Sequence, residues 1–296
     1  MFYQLKWKSG KATFGIQSAR FDDDYLLNER ILGLNFKQSR GPWIINLNVG
    51  SVVKGFARNG MFCSVGYLYD IIPGRSPGLI GNSPGETNMA GFTLKYSPSK
   101  KKNEFSSHSS PFSIGSVGLL TYGEFGGLID ESFVMAGFFA DVNLPEKFVF
   151  KPELIYQSSK QNGAIIYSFG LEKEFSLNNT RTIFNLRYFG ISAIDENARV
   201  LNSYSNLFAG DVIRLDSKDM PLAQVSAKTS FRKIKTHIKL QFSSQLNNSN
   251  PLSEFDFEIG KRFNSHFQIN AIGAFVKSSS LPNDAALARV ECRISF

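Results

Sequence analysis

The strongest constraint on this chain is a period of two. "WIINLNVGS" sets Trp43, Ile45, Leu47 and Val49 against Asn46, Asn48 and Gly50, and "TIFNLRY" sets Phe184, Leu186 and Tyr188 against Asn185 and Arg187. The same grammar recurs in "YQLKW", "ILGLNFK", "AGFTLKY", "FVFKPELIYQ", "IIYSFGLEKEF", "AQVSAKTSF", "THIKLQF", "FDFEIGKRF" and "HFQINAIGAF". Successive side chains of a strand point to opposite faces, so alternation of this kind specifies β-strands with one apolar and one polar face. Helical periodicity is almost absent, and the longest apolar run, Phe133 to Ala140, is strand length. That run falls short of the ~18–20 apolar residues of a transmembrane helix.

Roughly sixteen such segments are discernible, each close to the ~9–11 residues of a tilted membrane strand. Strands of a soluble sandwich alternate too, but they run nearer about five or six residues. The polar set is Gly, Asn, Gln, Ser, Lys, Arg and Glu in nearly every segment, and the opposite set is aromatic or aliphatic. The 28 Phe and the 14% aromatic share suit strands and lipid–water interfaces. A barrel with lipid outside and water inside produces this pattern in every strand. The expected fold is therefore all-β, a transmembrane antiparallel up-and-down β-barrel of about 14–16 strands, with residues 1–296 in one domain.

Connection lengths point the same way. Asn143 to Lys147, Ser176 to Thr180, Arg232 to Thr236 and Asn264 to His266 read as tight turns. Between them lie longer stretches, such as Ala193 to Met220, Leu246 to Ser253 and Ser278 to Ala285. Alternating short turns and long loops is the habit of bacterial outer-membrane barrels. Phe148, Phe175, Phe231, Phe263, Phe267 and Phe296 cluster beside the tight turns as an expected interfacial girdle. In the N-terminal half the rule weakens. With an even strand count Arg40 to Pro42 is tight where a long loop is expected, and Ser97 to Pro111 is long where a turn is expected.

The last segment, "ALARVECRISF", places Ala286, Ala288, Val290, Cys292, Ile294 and Phe296 on one face and Arg289, Glu291 and Arg293 on the other. It resembles the C-terminal strand of Gram-negative outer-membrane β-barrel proteins, which ends in an aromatic residue with apolar residues at alternate positions. Val290, Cys292, Ile294 and Phe296 match that signal; Ala286 and Ala288 stand where that strand often carries a further aromatic residue. The aromatic- and Asn-rich style is similar to outer-membrane proteins of the Bacteroidetes type. The resemblance implies an outer-membrane location, contact with lipid and lipopolysaccharide, and recognition of the last strand by barrel-assembly machinery. The N-terminus, "MFYQLKWKSG", has no apolar core of a signal peptide. Taken alone that argues for the cytoplasm; an exported barrel would have its signal upstream of this sequence.

By parity, the inward set contains ten basic residues, Lys6, Lys8, Lys37, Lys95, Lys151, Arg187, Lys228, Lys239, Arg289 and Arg293. Six acidic residues share it: Glu153, Glu172, Glu174, Asp256, Glu258 and Glu291. Charged rings in a lumen bias permeation by sign. The expected function is a porin-like channel for passive transport of small polar or anionic solutes. The alternative is a non-conducting barrel, a subunit or scaffold of a surface or secretion complex, in which these charges pair and fill the lumen. Glu172 and Glu174 with Arg187 are the expected cross-strand partners.

Other chemistries find little support. Net charge is +8, but basic residues are scattered, Lys100 to Lys102 is the only dense run, and no recognition motif accompanies it, so no nucleic-acid partner is expected. Cys63 and Cys292 lie far apart inside strand-like runs and read as apolar thiols. Asp22 to Asp24 lack the spacing and Gly of a calcium loop, and Gly74 to Glu86 follows no strand–helix pattern, so no metal or cofactor is expected. No enzyme activity is expected. The one candidate is His108 with Ser110, a His-x-Ser spacing similar to that of lipid-modifying barrel hydrolases, placed before Pro111 in a Ser-rich loop.

Overall fold

A computed structural model describes residues 2–21, 27–52, 87–98, 111–125, 128–158, 163–193, 221–246, 251–264, 267–277 and 285–294. They form one 15-stranded antiparallel sheet in which every strand pairs with its sequence neighbours, the order of an up-and-down barrel. The strands are β1 (Phe2–Trp7), β2 (Gly10–Phe21), β3 (Leu27–Arg40), β4 (Trp43–Val52), β5 (Thr87–Tyr96), β6 (Phe112–Phe125), β7 (Leu128–Asn143) and β8 (Phe148–Ser158). They continue as β9 (Gly163–Leu177), β10 (Thr180–Ala193), β11 (Leu222–Phe231), β12 (Thr236–Gln245), β13 (Ser253–Arg262), β14 (Phe267–Lys277) and β15 (Ala285–Ile294). All but β1 run ten residues or more. Ten residues rise ~33 Å, enough to cross a hydrocarbon core at the usual tilt.

Turn chemistry pins one rim. Trp7 pairs with Gly10 across Lys8–Ser9, Arg40 with Trp43 across Gly41–Pro42, and Leu177 with Thr180 across Asn178–Asn179. Gly41 (φ 57°) and Asn178 (φ 48°) take the left-handed conformation that two-residue hairpins need. Between β13 and β14, the Asn264 side chain accepts the Phe267 N–H at 2.8 Å. The Ser97 N–H donates to the Pro42 carbonyl at 2.8 Å and the Asn143 N–H to that of Pro111 at 3.0 Å. The ends of the 97–111 connection therefore sit on this same rim. That removes one of the two expected irregularities of the N-terminal half, since Gly41–Pro42 belongs to the tight rim; the other stands, because 97–111 is a long connection on that same rim. The opposite rim receives the connections 22–26, 53–86, 126–127, 159–162, 194–221, 246–252 and 278–284.

β1 and β15 run in the same direction, toward the tight rim, and no pairing joins them among the described residues. Directly adjacent they would be parallel; an all-antiparallel closure takes one further strand between them. On the polar face Gly15, Gly33 and Gly50 form one lateral row across β2, β3 and β4. A Cβ on Gly33 would lie against the Val49 carbonyl oxygen and 2.6 Å from Gly50 Cα. The obstructing atoms are backbone, so only separation of the strands would relieve them. Gly273 is different, its nearest neighbour being the Leu287 carbonyl oxygen at 3.8 Å. Gly33→Ala is expected to reduce the compact, fast-migrating band on an unheated SDS gel after refolding, and Gly273→Ala to leave it at the wild-type level.

Candidate functional site

The register sorts the side chains into two faces that differ completely. One face carries Leu32 (56% exposed), Phe138 (67%), Leu154 (52%), Phe242 (48%) and Val290 (64%), an apolar surface that circles the sheet from β3 to β15. Monomeric soluble proteins rarely expose patches beyond a few hundred Å²; lipid is the solvent that fits this surface. Near the tight rim the apolar face turns aromatic. Trp43 and Tyr96 have ring centroids 4.8 Å apart, Phe175 and Phe184 meet edge-on at 5.6 Å, and Phe263 stacks on Phe267 at 5.4 Å. Lys173 reaches along this face, its ammonium 4.0 Å from the Phe148 ring centroid and 3.4 Å from Glu146. An aromatic belt with snorkelling lysines marks a membrane–water interface.

The other face is polar, and it changes character along the strands. In the half toward the tight rim it is charged and wet. Lys6 stands directly opposite Lys11, and Lys11 opposite Lys37, a lateral row of like charges across β1, β2 and β3. Asn35 next to this row donates to Asn46 (2.8 Å) and Asn48 (2.6 Å). Farther round, Lys95 pairs with Asp141 at 2.8 Å, and Ser113 donates to the same carboxylate oxygen at 2.8 Å. Lys151 pairs with Glu172 at 2.9 Å, Arg181 with Glu174 at 2.6 Å, His237 with Glu258 at 3.0 Å and Arg289 with Glu291 at 3.0 Å. Lys6, Lys8, Lys11, Lys37, Lys228 and Lys239 make no ion pair among the described residues.

Toward the opposite rim the same face is buried. Ile31, Met89, Leu119, Met135, Ile155, Leu222 and Val276 point to it at 3% exposure or less. Gln157, Ser243, Glu254 and Asp256 are buried among them. The pattern therefore departs from an evenly wet interior: one half is a charged vestibule and the other a packed, mixed belt.

The residues expected on this face are placed as follows. Lys6, Lys37, Lys95, Lys151, Glu153, Glu172, Glu174, Arg187, Lys228, Lys239, Asp256, Glu258, Arg289, Glu291 and Arg293 all occupy polar-face register positions. Lys8 does not; it lies in the β1–β2 turn. The expected partnership of Arg187 with Glu172 and Glu174 is not the one formed. Lys151 takes Glu172, Arg181 takes Glu174, and Arg187 stands opposite Gly170 with its guanidinium over the Phe189 ring at 5.3 Å. Val290 and Cys292 lie on the apolar face, and the Cys292 thiol is free and exposed. Ile294 pairs with Phe267. Phe296, Cys63, His108, Ser110, His266, Asp22 to Asp24 and Gly74 to Glu86 fall outside the described residues.

Charged polar-face residues that escaped the sequence pattern include Lys11, Asp141, Arg181 and the buried Glu254. Lys11 lies in a segment whose alternation is interrupted by small residues, and Arg181 sits beside a turn. Asp141 follows "FVMAGFFA", where alternation vanishes because Met135, Gly137 and Phe139 face a buried interior while Val134 and Phe138 face outward.

No family model matches the chain, and no curated protein matches it in sequence. Solved structures do match in fold. Wzi of Escherichia coli, an outer-membrane protein involved in group 1 capsule assembly and a carbohydrate-binding β-barrel, aligns with 100% of this chain and 70% of its own at 11% identity, TM-score 0.57. The outer-membrane protein OpdK of Pseudomonas aeruginosa aligns over 99% and 78% at 10% identity, TM-score 0.53; it has also been solved with vanillate. OccAB4 of Acinetobacter baumannii aligns over 99% and 73% at 11% identity, TM-score 0.52. The fold is that of a Gram-negative outer-membrane β-barrel.

The ion pairs Lys151–Glu172 and Arg181–Glu174 differ in shielding. Lys151 and Glu172 are 25% and 26% exposed, against 44% and 33% for Arg181 and Glu174. A double-mutant cycle with Lys151→Met and Glu172→Gln, read by urea unfolding from phospholipid vesicles, is expected to give a coupling of about 0.5–1 kcal/mol. The same cycle at Arg181 and Glu174 should give a smaller one.

Proposed function

We propose that this protein is an outer-membrane channel, porin-like in action, that admits small polar solutes with a preference for anions. The observation that carries the reading is the excess of unpaired lysine on the polar face of the wet half. Lys6, Lys11, Lys37 and Lys228 have no carboxylate partner among the described residues, and Lys239 makes no ion pair with Glu258 opposite it, whereas the acids Asp141, Glu172, Glu174 and Glu258 are each held by a base. Uncompensated charge on the wall of a narrow, low-dielectric passage raises the local concentration of the opposite ion. Vanillate, the molecule bound to OpdK, is itself a small carboxylate. The buried belt toward the opposite rim, with Ile31, Met135, Ile155 and Leu222, would set the narrowest level.

In this proposal the sixteen residues of the expected inward set, with Lys8 moved to the mouth and Lys11, Asp141 and Arg181 added, line or flank the passage. The apolar face meets lipid and, in the outer leaflet, lipopolysaccharide. The last strand, ending in Val290, Cys292, Ile294 and Phe296, is what the barrel-assembly machinery would engage. The Bacteroidetes-like style and the absence of enzyme chemistry belong to the same proposal. The buried belt also favours a second reading, a non-conducting barrel that serves a surface complex, since Wzi acts in capsule assembly.

Planar-bilayer recording decides between them. The channel reading expects stepwise conductance, a reversal potential on the anion side in a potassium chloride gradient, and a shift toward cations in Lys37→Glu/Lys228→Glu. Silence from correctly folded protein across the voltage range would establish the non-conducting barrel instead.

A further inference from the structure

At the tight rim the row Lys6–Lys11–Lys37 is joined by Lys8 around a hollow of about 340 Å³, with Ser9 and Ser39 in its wall. Among the described residues no carboxylate lines this hollow. Neighbouring strands lie about 4.8 Å apart, so the three strand lysines stand within roughly 10 Å of each other. Like charges directly opposite on a sheet repel and destabilise it. At Lys95 and Lys151 the fold places a carboxylate beside the cation; here it places none among the described residues.

The framework of the hollow is built rather than loose. The Ser39 N–H donates to the Ser9 carbonyl at 2.7 Å, tying the β1–β2 turn onto β3. Gln38 closes the same joint with its side chain, accepting the Trp7 indole N–H at 2.7 Å and donating to Ser9 Oγ at 2.7 Å. Gly10 completes it, since a Cβ there would lie 2.5 Å from the Lys37 carbonyl oxygen. The turn holds Lys8 beside the lysine row, and Ser9, already accepting from Gln38, keeps its own hydroxyl hydrogen to donate.

The geometry points to a binding site for a small phosphate-bearing anion of two or more negative charges, seated among Lys6, Lys8, Lys11 and Lys37 at the tight-rim mouth of the barrel. Lysine ammonium groups are compact point charges that suit phosphate oxygens, and the hollow falls in the size range of small-molecule sites. The inference deepens the proposed anion preference by naming the class of anion and where it is held.

The chain has two tryptophans, and Trp7 lines the hollow. In a Trp43→Phe background, Trp7 fluorescence in a zwitterionic detergent reports binding without any current, so failure here and failure of the channel reading are separate results. Titration with inorganic pyrophosphate is expected to give a saturable change whose midpoint rises with salt. Lys11→Gln/Lys37→Gln should weaken it at least tenfold, Lys8→Gln less, and Lys228→Gln not at all, with each variant shown folded by its mobility on an unheated gel. The absence of saturation, or equal midpoints in wild type and Lys11→Gln/Lys37→Gln, would overturn the site. So would saturation by phosphatidylglycerol vesicles with no response to pyrophosphate, which would reassign the hollow to a lipid headgroup.

Discussion

Every other feature of this molecule depends on satisfying the backbone inside lipid. Bilayer hydrocarbon offers no hydrogen-bond partner, so each N–H and C=O of a crossing strand must find one on a neighbour. An antiparallel ladder running from β1 to β15 does this strand by strand. Once the ladder is imposed, side chains can only alternate, one set into lipid and one away from it. The exposed apolar face and the charged opposite face are therefore two consequences of one requirement. Gly33 and Gly50 meet within this ladder so closely that a Cβ on either would strike the backbone of the other strand.

The ladder leaves the inner face free to vary, and here it varies along the strand axis. Toward the tight rim it bears lysines and ion pairs that remain partly hydrated. Toward the other rim, Glu254 and Asp256 are buried beside Leu222, Leu252 and Val276. Burying carboxylates is costly without partners, and both have interactions that hold them. In the proposed channel, a solute entering from the tight rim would meet open charge first and a packed surface second.

This division also explains what could and could not be seen in the sequence. Where the inner face is wet, as along Asn35 and Lys37, polar residues alternate with Phe or Leu and the strand, its face and its register are all legible. In β7 the inner face is itself apolar, so Met135 and Phe139 are indistinguishable by type from the lipid-facing Val134 and Phe138, and the face of Asp141 is not legible from the pattern. Pairing was less legible than facing. Glu172 and Glu174 read as partners of Arg187; the choice among Lys151, Arg181 and Arg187 depends on the register of three strands, which no single segment encodes. Turn identity fared better where the backbone demands a residue type, as at Gly41 and Asn178.

The lysine hollow belongs to a third class, legible only by combination. Lys6, Lys11 and Lys37 are ordinary polar positions when each strand is read alone, and Lys8 looks like one more. Register makes three of them lateral neighbours, and the turn moves the fourth to the rim. Chance scatter of a net charge of +8 would spread such residues round the barrel, and interspersed carboxylates would neutralise them as they do at Asp141 and Glu172. Concentration at a joint fixed by Gln38, Ser9 and Gly10 is a different arrangement. It accepts like-charge repulsion at a rigid place, and an anion bound there would convert that repulsion into attraction, so the site should stabilise the folded barrel in proportion to its occupancy.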